Sequence, residues 1–419
     1  MIEKSRTVDS CEVCGNTELR AVLDLKLHPM CDDLVAIGDA RVCKEYPIEI
    51  VFCNRCVTAH QKLQIPKYEL FPPSYHYRSR QTVDVLNGMQ DLVEACEKEV
   101  GNLVGLRVLD IGCNDGSLLS IFAKRGAKTF GIEPTGAASD AKACGHKVIQ
   151  DFFSESVAQR FVEETGKPDI ITFTNVFAHI EDLKSVLRSI ELLASPNTVL
   201  VIENHYLGSI LEKDQFDTFY HEHPRTYSYT SFSFIADTLG MRISKVEFPH
   251  RYGGNIRVFM SYSVEAAAHD RWEELHNKEA AFGKGLVALD SRIDRWRPMK
   301  FAEIQGEIKR YGKLSAKAFP GRAAILVKML GLNETHIAAV YEKPGSGKIG
   351  HYVPGTRIPI KSDDEFVAGE GPILNLAWHI SDEIKSYMSA KGYNGRVIDI
   401  ISPGDFQDEV LGSDHCEAK

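Results

Sequence analysis

Hydrophobic and polar positions change their spacing along this chain, and the changes predict its secondary structure. From Thr82 to Val100 apolar residues recur every three or four positions, which predicts an amphipathic helix. After this helix, short apolar runs alternate with helical stretches, and the runs predict five strands, in RVLDI, TFGIEP, KVIQDFF, PDIITFT and TVLVIENH. Strands that alternate with helices are typical of a Rossmann-like α/β fold with a parallel sheet.

The C-terminal third shows a second alternation of helical and extended patterns. A helical pattern covers residues 265–317, and apolar runs at 323–327 and 337–341 predict strands. We expect an amphipathic helix at 378–388 and another strand at 396–401. The pattern therefore predicts a smaller α/β domain after the first one.

Length and the positions of Gly and Pro predict three domains. The chain has 419 residues, more than one hydrophobic core usually supports. The strand–helix alternation starts only after Tyr75, and Gly and Pro cluster around 71–74 and 343–355. We predict domains at 1–72, 73–250 and 251–419.

Composition and charge exclude several classes of function. Apolar residues make up 43% of the chain and charged residues 26%, and no apolar run is long enough for a membrane helix. The N-terminus lacks the apolar run of a secretion signal, which predicts a cytoplasmic protein without disulfides. A net charge of -9 argues against a nucleic-acid partner. Without a coiled-coil pattern, we expect a monomer that acts on a small molecule.

Four of the ten cysteines form a pattern in the N-terminal domain. Cys11 and Cys14 form one C-x-x-C pair, and Cys53 and Cys56 form a second. Each pair can point two thiolates at one tetrahedral ion, so the four predict a closed, structural Zn²⁺ site. Two unrelated pairs of reduced cysteines are the alternative.

The first strand of the central domain leads into a glycine-containing turn. Asp110, Gly112, Asn114 and Gly116 keep the spacing D-x-G-x-G-x-G, with Asn replacing the middle glycine. Asn tolerates the left-handed backbone of a tight loop, so the turn can still bring its backbone close to a ligand. Glu133 ends the second strand, where an acid can bind both hydroxyls of a ribose.

Three details favour S-adenosylmethionine over NAD as the ligand of this turn. Asp110 suits a cationic ligand and would repel a pyrophosphate, and no G-x-x-G follows the turn. Asp151 and Phe152 follow the third strand, as a carboxylate and an aromatic face for an adenine; alternatively they are a helix cap and a core residue. Asn175 and His179 follow the fourth strand, at the edge where open sheets bind ligands.

A cluster of polar residues, Tyr220, His221, Glu222 and His223, follows the fifth strand. A histidine can act as a base near neutral pH and remove a proton from a carbon next to a ketone. Glu222 could orient the imidazole, and Tyr220 or His179 could donate a hydrogen bond to the enolate oxygen. The two histidines share a face if the segment is extended, so the residues alone do not choose between them. A structural role or a metal site would also explain the cluster.

The combination of motifs resembles the sugar C-methyltransferases, adenosylmethionine-dependent enzymes that act on nucleotide-linked keto-deoxysugars. The resemblance covers nearly the whole chain and rests on the four cysteines, VLDIGCNDGSLL, ENHYL, FDTFYHEHPRTYS, YGGNIRV and PGTRIPI. In that family a histidine of the HEH segment is the base, with Tyr and Glu residues assisting. The resemblance therefore implies His223 as the base and Tyr220 and Glu222 as its assistants.

The same resemblance implies further ligand contacts. It places Tyr75 and Tyr77 at the active site, as contacts of the cofactor and the substrate, and a packing role would also explain either one. It also implies that Lys343, Lys348 and Arg357 neutralise a diphosphate. His221, beside the base, is a further candidate for substrate contact. The chain departs from the usual family sequence at AKAFPGRAA and at Glu342.

Three functions are consistent with the sequence. The first is methylation of a carbon next to the ketone of a nucleotide-linked keto-deoxysugar through an enolate. The second is O- or N-methylation of another small metabolite on the same fold. The third is a zinc-ribbon binding protein that uses the methyltransferase fold as a scaffold.

Overall fold

The computed structural model describes residues 5–72, 75, 77–81, 83–263 and 269–406. The N-terminal domain is built on an antiparallel sheet. Its elements are β1 (Arg6–Thr7), β2 (Arg20–Pro29), β3 (Val35–Ala36), β4 (Glu45–Cys53), β5 (Thr58–Gln61), β6 (Leu63–Gln64) and the short helix α1 (Lys67–Leu70). β4 lies between β2 and β5. Tyr46, Ile48 and Ile50 of β4 are buried at alternate positions, so the sheet packs through one face.

The central domain has the predicted alternation of strands and helices. It starts with α2 (Val83–Val100), as predicted, although Thr82 lies outside the described residues. The elements that follow are β7 (Arg107–Ile111), α3 (Ser117–Lys124), β8 (Lys128–Ile132), α4 (Ala137–Ala143), β9 (Lys147–Ile149), α5 (Glu155–Thr165), β10 (Ile170–Thr174), α6 (Leu183–Leu193) and β11 (Val199–His205). These strands are parallel in the order β9-β8-β7-β10-β11, which confirms the expected sheet. The strand order reverses at β7, where open sheets of this kind bind ligands.

The central sheet continues with two strands that the sequence pattern did not predict. After α7 (Leu207–Glu212), β12 (Arg225–Thr226) and α8 (Tyr229–Thr238), the chain forms β13 (Arg242–Glu247) and β14 (Asn255–Ser261). β14 inserts between β11 and β13 and is antiparallel to both. The sheet therefore extends past residue 250, where the sequence suggested a domain boundary.

A buried cluster of charges joins β14 to β11. The Glu203 carboxylate accepts hydrogen bonds from Arg251 Nε at 2.5 Å and from Arg257 Nε at 2.6 Å. Burial opposes ionisation of Glu203, but the two guanidinium groups outweigh it and hold its pKa below the usual value. The cluster fixes the end of β11, where the chain enters the candidate site.

Replacing Glu203 with Gln should therefore destabilise the protein strongly. The change leaves the buried Arg251 without its counter-charge and leaves the buried Arg257 with only Glu247. Breaking a buried pair in this way typically costs about 3–5 kcal/mol. Glu247 also pairs with Arg257, at 2.8 Å, but is partly exposed, so Glu247→Gln should cost less than about 1 kcal/mol. Thermal and urea unfolding of both variants tests this, and equal effects would contradict it.

The C-terminal domain is a second parallel α/β unit. Its elements are α9 (His269–Glu279), α10 (Phe282–Tyr311), β15 (Leu314–Lys317), α11 (Ala323–Met329), β16 (Ile337–Glu342), β17 (His351–Tyr352), β18 (Ile360–Ser362), β19 (Ile373–Asn375), α12 (Ser381–Ala390) and β20 (Val397–Asp399). The parallel sheet has the order β18-β16-β15-β19-β20. The strands expected at 337–341 and 396–401 and the helix expected at 378–388 are confirmed, with shifted ends.

Two predicted elements of this domain are wrong. The run at 323–327 is the buried helix α11 instead of a strand. An apolar run this short does not distinguish a strand from a helix buried on all sides. The helical pattern predicted through residue 317 ends at Tyr311, because Gly312 adopts a positive φ of 79° and the chain then enters β15.

Short strands connect the three domains. β12, which follows the polar cluster of the central domain, pairs with β5 of the N-terminal sheet. β17 of the C-terminal domain pairs with β3. Within the part of the chain that the structure describes, no helix has an apolar stretch long enough to cross a bilayer.

Candidate active site

The turn after β7 has the backbone that its sequence suggested. Gly112, Asn114 and Gly116 have φ values of 71°, 48° and 78°. A Cβ atom on Gly112 would lie 2.5 Å from a methyl group of Val176, so glycine is required there for space as well as for conformation. The backbone N–H of Asn114 donates to Glu133 Oε2 at 3.0 Å, which joins the ends of β7 and β8. This hydrogen bond fixes the turn beside the end of β8.

A cavity of about 1050 Å³ lies above this edge of the sheet, between the three domains. Most residues predicted for cofactor, catalysis or substrate line it: Gly112, Asn114, Glu133, Phe152, Asn175, His179, Tyr75, Tyr77, Tyr220, Glu222, His223, Lys343 and Lys348. The fold thus brings together side chains from segments far apart in the sequence.

Other predicted residues lie outside the cavity lining. Asp110 is buried below the turn and accepts a hydrogen bond from Thr172 at 2.7 Å, and burial raises its pKa to about 7. Gly116 caps α3. Asp151 accepts a hydrogen bond from the N–H of Phe152 at 2.7 Å. Arg357 donates to the backbone carbonyls of residues 39–41 instead of facing the cavity.

The two histidines of the HEH segment point in different directions. The segment turns at residues 221–222 and is not extended, so the histidines do not share a face as expected. His221 Nε2 lies 3.2 Å from the carbonyl of Tyr46, against the N-terminal sheet. His223 lines the cavity. Geometry therefore separates two residues that the sequence pattern left equivalent.

The backbone carbonyl of Thr218 holds the imidazole of His223 in place. Its Nδ1 lies 2.9 Å from the carbonyl of Thr218, so Nδ1 carries the proton and donates it. In the described part of the chain, Nε2 makes no hydrogen bond. Burial, together with the nearby His179 and His205, lowers the pKa of His223 well below its usual value. The side chain is therefore a neutral imidazole with an available Nε2 lone pair.

Glu222 contacts residues other than His223. Tyr75 donates to Glu222 Oε2 at 3.2 Å, and His179 Nδ1 lies 4.0 Å from the same oxygen. Burial and the nearby charge of Asp32 raise the pKa of Glu222 well above its usual value. The raised pKa favours the protonated carboxyl group, which can donate a hydrogen bond as well as accept one.

The structure adds three residues that the sequence reasoning did not select. His205 ends β11, and its ring centroid lies 5.0 Å from that of His223. Arg322 and His379 belong to the C-terminal domain and line the same cavity. His205 could have been selected from its place at the carboxyl end of a parallel strand. No local motif marks the other two residues.

The four cysteines predicted to bind metal lie together in the N-terminal domain. Their Sγ atoms are all within 4.8 Å of one another. Zn–S bonds of about 2.3 Å in a tetrahedron place sulfur atoms about 3.8 Å apart, so the cluster fits one Zn²⁺. Asn16 Nδ2 donates to Cys53 Sγ at 3.6 Å, and His60 Nε2 lies 3.3 Å from Cys11 Sγ. Such outer contacts typically orient metal ligands.

The cysteine cluster is connected to the cavity through one ion pair. Glu12 lies between the first two cysteines and binds the fully buried Arg225, which comes shortly after His223. Arg225 also donates to the backbone carbonyls of Ile180 and Glu181, next to His179. The metal-binding segment therefore supports both segments that carry cavity histidines.

The cavity residues fit S-adenosylmethionine. Thr174 Oγ1 and Arg251 Nη2 are buried in the cavity wall and have no hydrogen-bond partner among the described residues, so polar groups remain for the methionine end of a ligand. The buried Glu133 would hold the ribose and Phe152 would contact the adenine.

Glu133→Ala should lower the affinity for adenosylmethionine. A lost charge-assisted hydrogen bond costs about 1.5–3 kcal/mol, which corresponds to about 10-fold to 100-fold in Kd. The matched control is the surface variant Glu155→Ala. Calorimetric titration of both proteins measures the effect, and an unchanged Kd in Glu133→Ala would contradict the assignment.

Three known domain families match successive parts of the chain. A zinc binding domain matches residues 11–71, a methyltransferase domain matches 77–245, and a C-methyltransferase C-terminal domain matches 250–401. The matches follow the order of the structural units described above.

Individual proteins resemble the chain to different extents. C-methyltransferase NovU from Streptomyces niveus is 27% identical over 391 residues, which cover 90% of this chain and 92% of NovU. Ubiquinone biosynthesis O-methyltransferase from Escherichia coli K12 / DH10B is 32% identical over 103 residues, which cover 24% of this chain and 42% of that enzyme. The crystal structure of magnesium protoporphyrin IX methyltransferase from Synechocystis PCC 6803 with bound SAH is 18% identical, covers 43% of this chain and 84% of its own, and has a TM-score of 0.34. The three successive domain matches identify the chain as an S-adenosylmethionine-dependent methyltransferase with a zinc-binding domain and a C-methyltransferase C-terminal domain.

Proposed function

We propose that this protein methylates a carbon next to the ketone of a nucleotide-linked keto-deoxysugar. The observation that supports this most is the state of His223, which combines a fixed Nδ1 with a free, unprotonated Nε2 inside the cavity. A carbon becomes nucleophilic only after it loses a proton, so a carbon acceptor needs such a base. Bound adenosylmethionine supplies the electrophilic methyl group.

The residues around His223 support its role as the base. The hydrogen bond to Thr218 fixes the ring orientation, and the lowered pKa keeps the imidazole unprotonated in the resting protein. Tyr220 packs against His223 with ring centroids 4.2 Å apart, which limits access of water. Proton removal leaves the base as an imidazolium and the acceptor as an enolate.

The loop after β16 supports an anionic acceptor. Lys343 and Lys348 line the cavity on the sheet edge where β16 ends. Lys348 Nζ uses one donor on the Phe319 carbonyl, at 2.8 Å, and an ammonium group has three. The remaining donors suit a diphosphate.

We further expect a cytoplasmic monomer. The net charge of -9 agrees with the absence of a nucleic-acid partner.

Exchange of the acceptor proton with solvent deuterium tests the proposal. The protein is incubated in deuterated buffer with S-adenosylhomocysteine and thymidine-diphosphate-linked 3-keto or 4-keto 6-deoxyhexoses, and deuterium uptake is followed by mass spectrometry. We expect uptake with wild-type protein and none with His223→Asn. Absence of uptake by a wild-type protein that binds adenosylmethionine would instead favour methylation of oxygen or nitrogen.

A further inference from the structure

Arg322 brings a buried positive charge from the C-terminal domain into the cavity. It lies in the AKAFPGRAA segment, between β15 and α11, where the sequence departs from the resembled family. Its side chain lines the cavity although the residue is only 8% exposed. A guanidinium group carries a positive charge, so this part of the cavity contains a cation.

Two of the three nitrogen atoms of Arg322 are used to fix its position. Nη1 donates to Thr218 Oγ1 at 3.0 Å, and Nε lies 3.3 Å from Asp217 Oδ2. Asp217 is held in turn by Trp378 Nε1, at 3.0 Å. Nη2 is buried and has no hydrogen-bond partner among the described residues. A buried donor of this kind requires an acceptor, and a bound ligand can supply one.

Thr218 positions both Arg322 and His223. The side chain of Thr218 accepts a hydrogen bond from Arg322, and its backbone carbonyl accepts one from His223 Nδ1. One residue thus holds both the cation and the imidazole. This arrangement suits a substrate that presents a proton to His223 and an oxygen to Arg322.

Asp217 is the one carboxylate that forms an ion pair with Arg322 among the described residues, and it does so through Nε. The nearby cavity side chains His205 and His379 are neutral, because burial and the charge of Arg322 lower the pKa of both. His379 Nδ1 is also buried without a partner in the described structure. An oxygen atom that gains negative charge during the reaction would meet the unused Nη2 donor here, and His379 adds a second donor in the tautomer that carries its proton on Nδ1.

We propose that Arg322, assisted by His379, binds the ketone oxygen of the acceptor and stabilises the enolate. This inference rests on the proposed carbon methylation. The C–H bond next to the ketone breaks, its proton moves to His223 Nε2, and its electron pair forms the C=C bond of the enolate. The carbonyl π pair moves to the oxygen, and Arg322 Nη2 donates a hydrogen bond to that oxygen.

Arg322 suits this role better than the two residues suggested by the sequence. Burial and the nearby Glu222 raise the pKa of Tyr220 well above its usual value, which makes its hydroxyl a weaker donor. The Nδ1 atom of His179 lies beside Glu222. A cation stabilises an enolate more than either neutral donor does. The C-terminal domain then takes part in the chemistry as well as in substrate binding.

The deuterium-exchange assay, run at several substrate concentrations, tests this role. We expect Arg322→Gln to lower the maximal exchange rate about 100-fold or more, with little change in the half-saturating concentration. Arg322→Lys should recover part of the rate because it restores the charge. Arg292→Gln is the matched control, since Arg292 pairs with Asp214 at 2.6 Å outside the cavity lining and should exchange normally.

Two outcomes would overturn the inference. In the first, the wild type exchanges and Arg322→Gln keeps a normal maximal rate, whether or not its half-saturating concentration rises. This result overturns the role of Arg322 while the proposed function stands. No exchange by a wild-type protein that binds adenosylmethionine overturns both. If Arg322→Gln unfolds because Asp217 loses its partner, the double variant Asp217→Asn/Arg322→Gln removes that buried charge and gives the same readout. Melting temperature and Kd for S-adenosylhomocysteine confirm folding of each variant.

Discussion

Replacing His223 with Asn is expected to lower kcat about 1000-fold or more while leaving the Kd for adenosylmethionine nearly unchanged. Asn can still donate a hydrogen bond to the Thr218 carbonyl, which His223 Nδ1 contacts at 2.9 Å, so the segment should keep its conformation. What is lost is the free Nε2 lone pair. Steady-state kinetics and calorimetric titration on the same preparations measure the two quantities.

His221→Asn is the control for this experiment. His221 lies two positions before His223 in the sequence, but its side chain packs against the Tyr46 carbonyl. Its replacement should therefore affect stability more than kcat. Similar losses of kcat in both variants would contradict the assignment of the base. A fall in adenosylmethionine affinity equal to the fall in kcat would point to misfolding.

The pH dependence of the wild-type rate follows from the environment of His223. Its pKa lies well below the usual value, so the imidazole remains unprotonated throughout the neutral range. We expect the rate to stay level as the pH falls through about 6.5, where an ordinary histidine titrates, and to decline only in more acidic buffer.

The second large effect is expected from the cysteine cluster. Cys53→Ser, or removal of zinc by a chelator, should abolish cooperative unfolding of the native protein, because a structural zinc site contributes about 10 kcal/mol or more to folding. The loss reaches the cavity through Glu12 and Arg225, which connect the first cysteine pair to the segment after His223. Circular dichroism melts and zinc analysis measure the effect.

Cys144→Ser provides the comparison, since Cys144 is exposed and lies outside the cluster. This variant should melt like the wild type. A zinc-free protein that keeps its melting temperature but loses activity would show that the metal acts in catalysis instead of in folding.

Local patterns in the sequence predict much of this structure. The helix α2, the strands β7–β11 and the cysteine pairs each carry a signal within a few residues. The glycine turn is also local, because its conformation depends on Gly112, Asn114 and Gly116 themselves. These features do not require knowledge of the tertiary contacts.

The remaining features depend on contacts between distant segments. α11 is buried on all sides, and the sequence of such a helix resembles that of a buried strand. The directions of His221 and His223 depend on a turn against β4, and Arg322 enters the cavity only because its domain packs against Thr218. β13 and β14 form a hairpin whose charged residues are satisfied by Glu203 and Glu247, so the apolar alternation is weak.

The pairing of β12 with β5 has a consequence for synthesis of the chain. Arg225 pairs with His60 and Thr226 with Ala59, so the N-terminal sheet is completed by residues that leave the ribosome long after the cysteines do. Until then the edge of β5 has unpaired backbone groups that can bind another chain. Zinc binding to the four cysteines before residue 225 is synthesised does not cover this edge. Fragments that end before residue 225 should therefore aggregate even when zinc is bound.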